Sequence, residues 1–157
     1  MIIPAYNEEE SILNTVMSIV EYRKKVDFDL DYVVINDGSV DRTKHILDSH
    51  HLNAIHLVMN LGIGGAVQTG YKYALEKDYD VAVQFDGDGQ HDIESLDALL
   101  EPIRRQQADL VVGSRFIGDK SSEFQTTFMR RFGITIISAF IKLTTGKRIL
   151  DTTSGYR

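Results

Sequence analysis

The sequence predicts an α/β fold, in which a mostly parallel sheet carries helices on both faces. Two observations support this class: short apolar runs alternate with longer amphipathic runs, and their order reads βαβαβαβαβ. Strands that are joined by helical crossovers pair in parallel. Ligands of such sheets bind at the carboxyl ends of the strands, so the loops that follow strands should carry the chemistry.

The first half of the chain supplies three strands and three helices. A strand over Ile2–Ala5 precedes a helix for which Asn7 is the predicted N-cap, with Glu10 three residues on. That pairing satisfies free amides at a helix start. The other elements predicted here are a β-branched strand over 32–35, a helix over 41–49, a strand over 54–59, a glycine-rich loop over 60–65 and a helix over 66–76.

The second half begins with a fourth strand over 81–85 that runs directly into an acidic loop. A helix is predicted over 93–106, a fifth strand over 110–113 and an amphipathic helix over 128–144. The length of 157 residues and the hydrophobic fraction of 43% predict a single domain over 1–157 with a real core. The chain ends directly after a turn without a capping element, which predicts a domain truncated at its C-terminus.

Composition narrows the classes of function. The formal net charge is −6, which disfavours nucleic acid as a partner because phosphate backbones need clustered Lys and Arg. The absence of cysteine excludes disulfides, thiolate nucleophiles and Cys-based zinc sites. No signal peptide is evident, and the most apolar segment, Phe132–Leu143, is shorter than the roughly 20 residues that span a bilayer. We expect a cytoplasmic location, which includes the inner face of the cell membrane.

Two aspartates separated by one glycine follow the fourth strand. Asp86 and Asp88 repel each other unless a cation lies between them, and Gly87 lets the backbone approach a ligand. Carboxylate oxygens at this density suit Mg²⁺ or Mn²⁺, with a substrate diphosphate completing the coordination and Gln90, His91 and Asp92 as further candidate ligands. The alternatives are a solvated turn with helix-capping aspartates, and a calcium-binding loop, although His91 stands where that loop requires glycine.

Two other strand-end loops allow a structural or a ligand-binding interpretation. Asp37 lies in an Asn-Asp-Gly-Ser turn and either caps a helix or holds a ribose or a base edge. The run Gly62–Ala66 either cradles phosphate at a helix N-terminus or packs a helix start against the sheet. Val67 stands where the dinucleotide fingerprint has its third glycine, which disfavours a hydride-transferring dehydrogenase.

The second half also carries basic and apolar features. An apolar stripe over 132–141 either faces the core or lies against a membrane. Four arginines each look like ordinary surface charges, but together they could neutralise a phosphorylated substrate beside the acidic loop. They are Arg115, Arg130, Arg131 and Arg157.

The strand-end loops form one ordered pattern along nearly the whole chain. Its stretches are Ile3–Glu9, Val34–Ser39, Asn60–Ala66, Asp86–His91, Gly113–Phe116, the Arg130–Arg131 pair with Ser138, and Asp151–Arg157. Together they resemble the family 2 glycosyltransferases, which have the nucleotide-diphospho-sugar transferase (glycosyltransferase A-type) fold. The second half resembles one branch, the dolichol-phosphate mannosyltransferase-like enzymes. Gly87 stands where that branch usually has alanine, and Asn36 where the family commonly has a first aspartate.

The resemblance implies a role for each matching residue. Asp86 and Asp88 would bind the ribose side and the metal-bound diphosphate, and Gln90 would be an extra ligand to the Mg²⁺ or Mn²⁺. The donor would be a UDP- or GDP-sugar, and the acceptor a lipid phosphate or a glycan. Pro4, Tyr6, Glu8 and Asp37 would hold the base and ribose; Gly62, Gly64, Gly65 and Ala66 would line the nucleotide site; Arg115, Arg131 and Ser138 would grip the acceptor phosphate; and Arg157 would lie near the donor diphosphate.

The implied reaction is an inverting displacement at the anomeric carbon. A cation held by Asp88 would stabilise the charge that develops on the leaving nucleoside diphosphate. A sugar-hydroxyl acceptor needs a general base, for which Asp151 is the candidate, whereas a lipid phosphate is already ionised and needs the arginines instead. The alternatives are a sugar-phosphate nucleotidyltransferase and a non-catalytic nucleotide-sugar-binding module. The sequence leaves the oligomeric state open.

Overall fold

A computed structural model gives the fold of the chain. It describes residues 1–87, 92–113 and 156. The chain divides into two compact units, Met1–Ala98 and Leu99–Arg157, and a single domain over the whole chain stays a prediction. The described elements are β1 (Ile2–Ala5), α1 (Ile12–Arg23), β2 (Val33–Asn36), α2 (Thr43–Ser49), β3 (Ala54–His56), α3 (Gly62–Glu76), a 3₁₀ turn (Ile93–Ser95) and α4 (Leu96–Arg104).

The three strands form a parallel sheet in the order β1-β2-β3. The segment 83–85 lies along the other edge of β1, because the Ile2 N–H donates to the Val83 carbonyl at 2.8 Å and the Phe85 N–H donates to the Ile2 carbonyl at 2.9 Å. The predicted fourth strand is therefore beside β1, although it pairs there through a single parallel bridge, Ile2↔Gln84. The spatial order is β3, β2, β1 and then 83–85.

Helices lie on both faces of this sheet, as the sequence predicts. Every residue of β1 and β2 is buried, which is typical of a parallel sheet covered on two sides. Successive side chains of a strand point to opposite faces. Ile2 lies against Gly70 of α3 on one face. On the other face, Ile3 and Ile12 of α1 lie near each other, because both come within 3.6 Å of the point where a Cβ on Gly87 would stand.

α3 packs closely on the sheet through small residues. Ala66, Gly70 and Ala74 recur at every fourth position of its buried face. A Cβ on Gly70 would stand 2.1 Å from Cγ2 of Ile2, which is far inside van der Waals contact. The helix can approach β1 this closely only because residue 70 has no side chain.

α1 begins later than the sequence predicts. The predicted N-cap, Asn7, has a φ of 57° and lies in the preceding loop, and the helix begins at Ile12 with Ser11 as its N-cap. The Oδ1 of Asn7 instead accepts the N–H of Val40 at 2.9 Å, from 33 residues along the chain. The capping prediction was therefore wrong, because a tertiary hydrogen bond uses the side chain that the local pattern assigned to the helix.

α3 begins earlier than predicted, at Gly62 rather than at Ala66. Glycine lowers helix propensity, which is why the sequence predicts a loop there. Two side chains fix the helix start: Oδ1 of Asp37 accepts the Leu61 N–H at 2.7 Å, and Oδ1 of Asn60 accepts the Gly62 N–H at 2.9 Å. The glycine-rich run is consequently the first turn of α3.

The helix predicted over 93–106 is shorter and begins as a 3₁₀ turn. Oδ1 of Asp92 accepts the Glu94 N–H at 3.1 Å and so caps this turn, which leads into α4. None of the helices within the described ranges combines the length and the apolar character that crossing a membrane requires.

The strand predicted over 110–113 is not formed as a strand. Gly113 donates its N–H to the carbonyl of Tyr156 at 2.8 Å, whereas Leu110 is 68% exposed. Among the described residues, the run 110–113 makes this one backbone bond at its end and no ladder of bonds along its length. It is therefore not a strand there. The helix predicted over 128–144 lies outside them.

Candidate functional site

The carboxyl ends of β1 and β2 open into a cleft of about 490 Å³. Its walls come from the loop after β1, the turn after β2, the start of α3 and the segment after residue 85, all within the unit Met1–Ala98. We call it the switch-point cleft. The residues that line it are Pro4, Ala5, Tyr6, Glu8, Asp37, Asn60, Gly62, Ile63, Ala66, Asp86 and Gly87.

The topology of the sheet explains where this cleft lies. The chain adds β2 and β3 on one side of β1 and then returns through α3 to place 83–85 on the other side. At the point where strand order reverses, the neighbouring loops leave the sheet in opposite directions and a crevice opens between them. Pro4 at the end of β1 and Asp86 after 83–85 both line that crevice. Parallel sheets characteristically bind ligands at this position.

The cleft collects many, but not all, of the predicted site residues. Gly64 and Gly65 lie in the first turn of α3 and are not among the residues that line the cleft. The predicted residues that do line it are Pro4, Tyr6, Glu8, Asp37, Gly62, Ala66 and Asp86. Those that lie outside the described residues are Asp88, Gln90, Arg115, Arg131, Ser138, Asp151 and Arg157.

Asp37 brings a buried carboxylate to the cleft. The residue is only 3% exposed, and its Oδ1 accepts the N–H of Leu61 at 2.7 Å. This bond offsets part of the cost of burying a charge. A carboxylate offers about four acceptor positions, so Asp37 can fix the start of α3 and still accept an N–H or O–H from a ligand.

Gly38 lets the turn after β2 lie against the loop before α3. Its φ is +67°, a value that residues with a Cβ seldom adopt. A Cβ at this position would stand 2.7 Å from the carbonyl carbon of Met59 and 2.7 Å from the nitrogen of Asn60. Both the backbone angle and the close backbone approach therefore require glycine beside Asp37.

The loop after β1 and the turn after β2 hold each other in place. Asn7 donates its N–H to Oγ of Ser39 at 3.0 Å, and its Oδ1 accepts the N–H of Val40 at 2.9 Å. Asn7 stands between Tyr6 and Glu8, which both line the cleft. The reciprocal bonds fix the backbone that presents these two side chains.

A second pair of bonds ties the same loop to the start of α2. The Glu8 N–H donates to Oγ1 of Thr43 at 2.8 Å, and the Glu9 N–H donates to Oδ2 of Asp41 at 3.1 Å. Burial alone would raise the pKa of Asp41, but hydrogen bonds from the Thr43 hydroxyl and amide and from the Glu9 amide hold it below its ordinary value of 3.8. Asp41 is therefore held as a carboxylate that anchors the loop.

The acidic loop enters the cleft close to β1. Oδ1 of Asp86 accepts from Nε2 of Gln84 at 3.1 Å, and the carbonyl of Gly87 accepts the buried hydroxyl of Thr15 at 3.1 Å. A Cβ on Gly87 would stand 3.1 Å from the carbonyl oxygen of Pro4. Glycine at 87 thus lets this loop lie directly beside the end of β1.

The predicted metal site lies only partly within the described residues. Asp86 is described, whereas Asp88 and Gln90 are not. Within the described ranges, no three His, Cys, Asp or Glu side chains lie close enough together to hold a metal ion. An Asp86 carboxylate in the cleft fits the oxygen ligands that Mg²⁺ and Mn²⁺ take, so metal binding by this loop stays a proposal.

Sequence reasoning missed two residues that shape the cleft. Asn60 lines it and also accepts the N–H of Gly62, the first residue of α3, at 2.9 Å. The glycines that follow have low helix propensity, so the sequence did not predict this helix start. Thr15, which holds the carbonyl of Gly87 from α1, has no local sequence signal because its partner is 72 residues away.

Two enzymes of related sequence cover the whole chain. The undecaprenyl-phosphate mannosyltransferase of Micrococcus luteus is 35% identical over 162 residues, which are 99% of this chain and 63% of that protein. The UDP-N-acetylglucosamine–dolichyl-phosphate N-acetylglucosaminyltransferase of Methanococcus voltae is 33% identical over 175 residues, which are 100% of this chain and 67% of that protein. Their names confirm the predicted resemblance to the dolichol-phosphate mannosyltransferase-like branch.

The fold and the family agree with this likeness. Glucosyl-3-phosphoglycerate synthase from Mycobacterium tuberculosis, solved with Mn²⁺ and UDP-glucose, matches with a TM-score of 0.60 at 19% identity, over 99% of this chain and 53% of that one. This likeness confirms the predicted fold class. The chain spans a little under two thirds of the first curated relatives, 62% and 63% of their lengths. The family model described as glycosyl transferase family 2 matches residues 1–156, and the chain therefore belongs to that family.

Proposed function

We propose that this chain is the catalytic part of an inverting glycosyltransferase, which binds a nucleotide-sugar in the switch-point cleft and transfers the sugar to a polyprenyl phosphate. The observation that carries the proposal is the composition of the cleft. It combines an accessible aromatic ring at Tyr6, a buried carboxylate at Asp37 and a second carboxylate at Asp86. The ring would stack on the base, the buried carboxylate would bind polar atoms of the base or the ribose, and the second carboxylate would bind the metal that holds the diphosphate.

The base and the ribose of the donor would occupy the side of the cleft formed by β1 and β2. Tyr6 is 46% exposed, which leaves its ring available to stack on a planar base. Asp37 is buried and accepts one backbone bond, so its remaining acceptor positions are available to a base N–H or a ribose hydroxyl. Pro4 and Glu8 would complete this side of the cleft. Gly62 and Ala66, at the start of α3, line the same cleft and would lie next to the bound nucleotide.

The diphosphate would lie near the acidic loop. Asp86, together with Asp88 and Gln90, would hold the Mg²⁺ or Mn²⁺. When bound, that ion supplies Lewis-acid stabilisation of the charge on the departing nucleoside diphosphate. Gly87 contributes by letting the loop lie against β1. Arg157 would add a positive charge near the same phosphates.

The acceptor would be a lipid phosphate, as the names of the two relatives suggest. Arg115, Arg131 and Ser138 would bind its phosphate and orient one oxygen toward the anomeric carbon, on the face opposite the leaving group. A phosphate is already ionised near neutral pH, so this route needs no proton transfer. A general base at Asp151 would be needed only for a hydroxyl acceptor. The chain would then work at the cytoplasmic face of a membrane, where such acceptors are held.

Product analysis tests this proposal directly. The chain is incubated with UDP- and GDP-sugars, with a polyprenyl phosphate, and with or without Mn²⁺, and the released nucleotide is measured. Metal-dependent release of nucleoside diphosphate with formation of a glycolipid is the expected result. Release of pyrophosphate would identify a nucleotidyltransferase instead, and nucleotide binding without any turnover would identify a binding module.

A further inference from the structure

Asn36, at the end of β2, is a buried polar residue beside the cleft. It is 2% exposed, and both ends of its amide are used. Its Nδ2 lies 2.9 Å from Nδ1 of His56 on β3, and its Oδ1 accepts the N–H of Ser39 at 3.2 Å. The other ring nitrogen of His56, Nε2, lies 3.0 Å from Oδ1 of Asp48 on α2. A chain of side chains thus runs from α2 to the turn that carries Asp37.

These contacts define one protonation state for His56. A backbone N–H can only donate, so the amide end facing Ser39 must be the oxygen of Asn36. The NH₂ end then faces His56, and Nδ1 can accept from it only through a lone pair. Asp48 can only accept, so Nε2 must carry the ring proton. The arrangement requires a neutral His56 with its proton on Nε2.

The same chain reaches the residues that line the cleft. Asn36 fixes Ser39 through its Oδ1, and Oγ of Ser39 accepts the N–H of Asn7 at 3.0 Å. Asn7 lies between the cleft residues Tyr6 and Glu8. The state of His56 can therefore affect both loops of the cleft without contact with a ligand.

We infer that His56 is a positioning residue for nucleotide binding, which acts through Asn36 and supports binding only while its Nδ1 carries no proton. This inference rests on the proposed function, because it concerns the same cleft. A proton on Nδ1 would face the NH₂ group of Asn36, so two donors would meet. Rotating the amide would remove this conflict but would place its NH₂ group against the Ser39 N–H and lose that bond.

The bonds at the two ring nitrogens set the direction of the effect. Asp48 lies 3.0 Å from Nε2 and is largely exposed. A second ring proton must go to Nδ1, where it would face the NH₂ group of Asn36. Histidine changes charge between about pH 5 and 8. Nucleotide binding should therefore weaken as the pH falls through this range.

The matched control is His56→Gln. Its amide can accept from Asn36 and donate to Asp48, as neutral histidine does, but it does not titrate. Dissociation constants for UDP and for GDP, each with Mn²⁺, are measured by calorimetry at about pH 7.5 and about pH 5.5 for both proteins. The parent should lose roughly tenfold more affinity than the variant between these conditions, as expected when a buried donor is left unpaired. Titration of the nucleotide itself affects both proteins equally.

Asn36→Asp should invert the dependence. The new carboxylate can accept from Ser39 and from a protonated His56, which would then lie between two carboxylates. Neutral His56 has only one N–H and would place a lone pair against one of the two carboxylates. The variant should bind relatively better at the lower pH, opposite to the parent.

Ring ¹⁵N chemical shifts of His56 test the tautomer without any ligand. The Nε2–H form near neutral pH is the expected result. An Nδ1–H form, or equal pH dependence of binding in the parent and His56→Gln, would overturn the inference. Failure of both nucleotides to bind at either pH would instead contradict the proposed function, and the ring tautomer would still test the hydrogen-bond arrangement from which the inference is drawn.

Discussion

The carboxylate of Asp37 accepts the amide proton of Leu61 at 2.7 Å, and this bond joins the end of β2 to the start of α3. The same buried residue lines the switch-point cleft. The structural contact and the proposed ligand-binding role therefore belong to one side chain, and two substitutions can separate them.

Asp37→Asn keeps an oxygen for the Leu61 amide but removes the negative charge. We expect nucleotide affinity to fall by about tenfold while the melting temperature changes little. Asp37→Ala removes the acceptor as well and should also lower the free energy of unfolding by about 1–3 kcal/mol. Calorimetric titration and thermal unfolding measure the two effects. Unchanged nucleotide binding by Asp37→Asn would show that the residue serves only to hold the start of α3.

Gly38→Ala should destabilise the fold. The substitution puts a Cβ on a residue with φ +67° and within 2.7 Å of the Met59 and Asn60 backbone, at a cost of about 1–3 kcal/mol. Gly64→Ala is the matched control, because a Cβ there meets nothing within 4 Å. It should stabilise α3 by about 0.5–1 kcal/mol through helix propensity. Denaturant unfolding distinguishes these opposite signs, and equal effects would contradict the close approach at Gly38.

Gly70→Ala should also destabilise, by about 1–3 kcal/mol from overpacking. The reason is the 2.1 Å separation between its new Cβ and Cγ2 of Ile2. Ile2→Ala removes that atom and makes room, although it costs about 2–5 kcal/mol alone. The double variant should therefore be more stable than the sum of the single losses predicts, by at least about 0.5 kcal/mol. Additive losses in a double-mutant cycle would show that α3 does not press on this side chain.

Asp41 should contribute stability that depends on pH. Its hydrogen bonds hold its pKa below the ordinary value of 3.8. A carboxyl group with a lowered folded-state pKa contributes fully above its unfolded value and loses the contribution as the pH falls through the folded value. The stability difference between the parent and Asp41→Asn should thus shrink below about pH 4.

Asp29→Asn provides the reference for that measurement, because Asp29 is exposed. Chemical unfolding of all three proteins between about pH 2 and about pH 6 covers the relevant window. A difference for Asp41→Asn that stays constant across this window would count against an ionised anchor at this position.

Asp86→Asn tests the acidic loop. If Asp86 binds the metal-bound diphosphate, the variant should lose about 100-fold or more of its transfer activity, together with the Mn²⁺-dependent thermal stabilisation by nucleotide. Asp92→Asn removes the same charge outside the cleft, at the cap of the 3₁₀ turn, and should keep both properties. Equal losses in the two variants would point to general charge effects rather than to a metal ligand.

The sequence predicts the sheet well because the strands that are buried on both faces consist of short, continuous apolar runs. Val33 to Ile35 are β-branched and fully buried, and their helical neighbours show the expected spacing. The order of loops after strands is enough to group Pro4, Asp37 and Asp86 at one edge of the sheet. Their meeting in one cleft follows from parallel topology rather than from local detail.

Local patterns fail where a tertiary partner decides the outcome. Asn7 resembles an N-cap, but its side-chain oxygen accepts the N–H of Val40 instead. The glycines after Leu61 resemble a loop, but a helix starts there, and Asp37 and Asn60 accept the N–H groups of Leu61 and Gly62 at its start. Val40 and Asp37 lie 33 and 24 residues from the groups that they bind, so a short stretch of sequence does not contain both partners. At Asn60 the partner is near, but the glycines that follow have low helix propensity.

The docking of 83–85 on β1 has a consequence for how the protein matures. One part of the cleft comes from residues 4–8, and the part beside it is added only with Asp86 and Gly87, so the cleft unites segments from opposite ends of Met1–Ala98. Contacts across such sequence separations carry a high loop-closure cost and slow folding. During synthesis, β1, β2 and β3 therefore leave the ribosome before residues 83–87 are available to complete the cleft. Acquisition of nucleotide affinity would mark the moment at which the last part of the sheet is added.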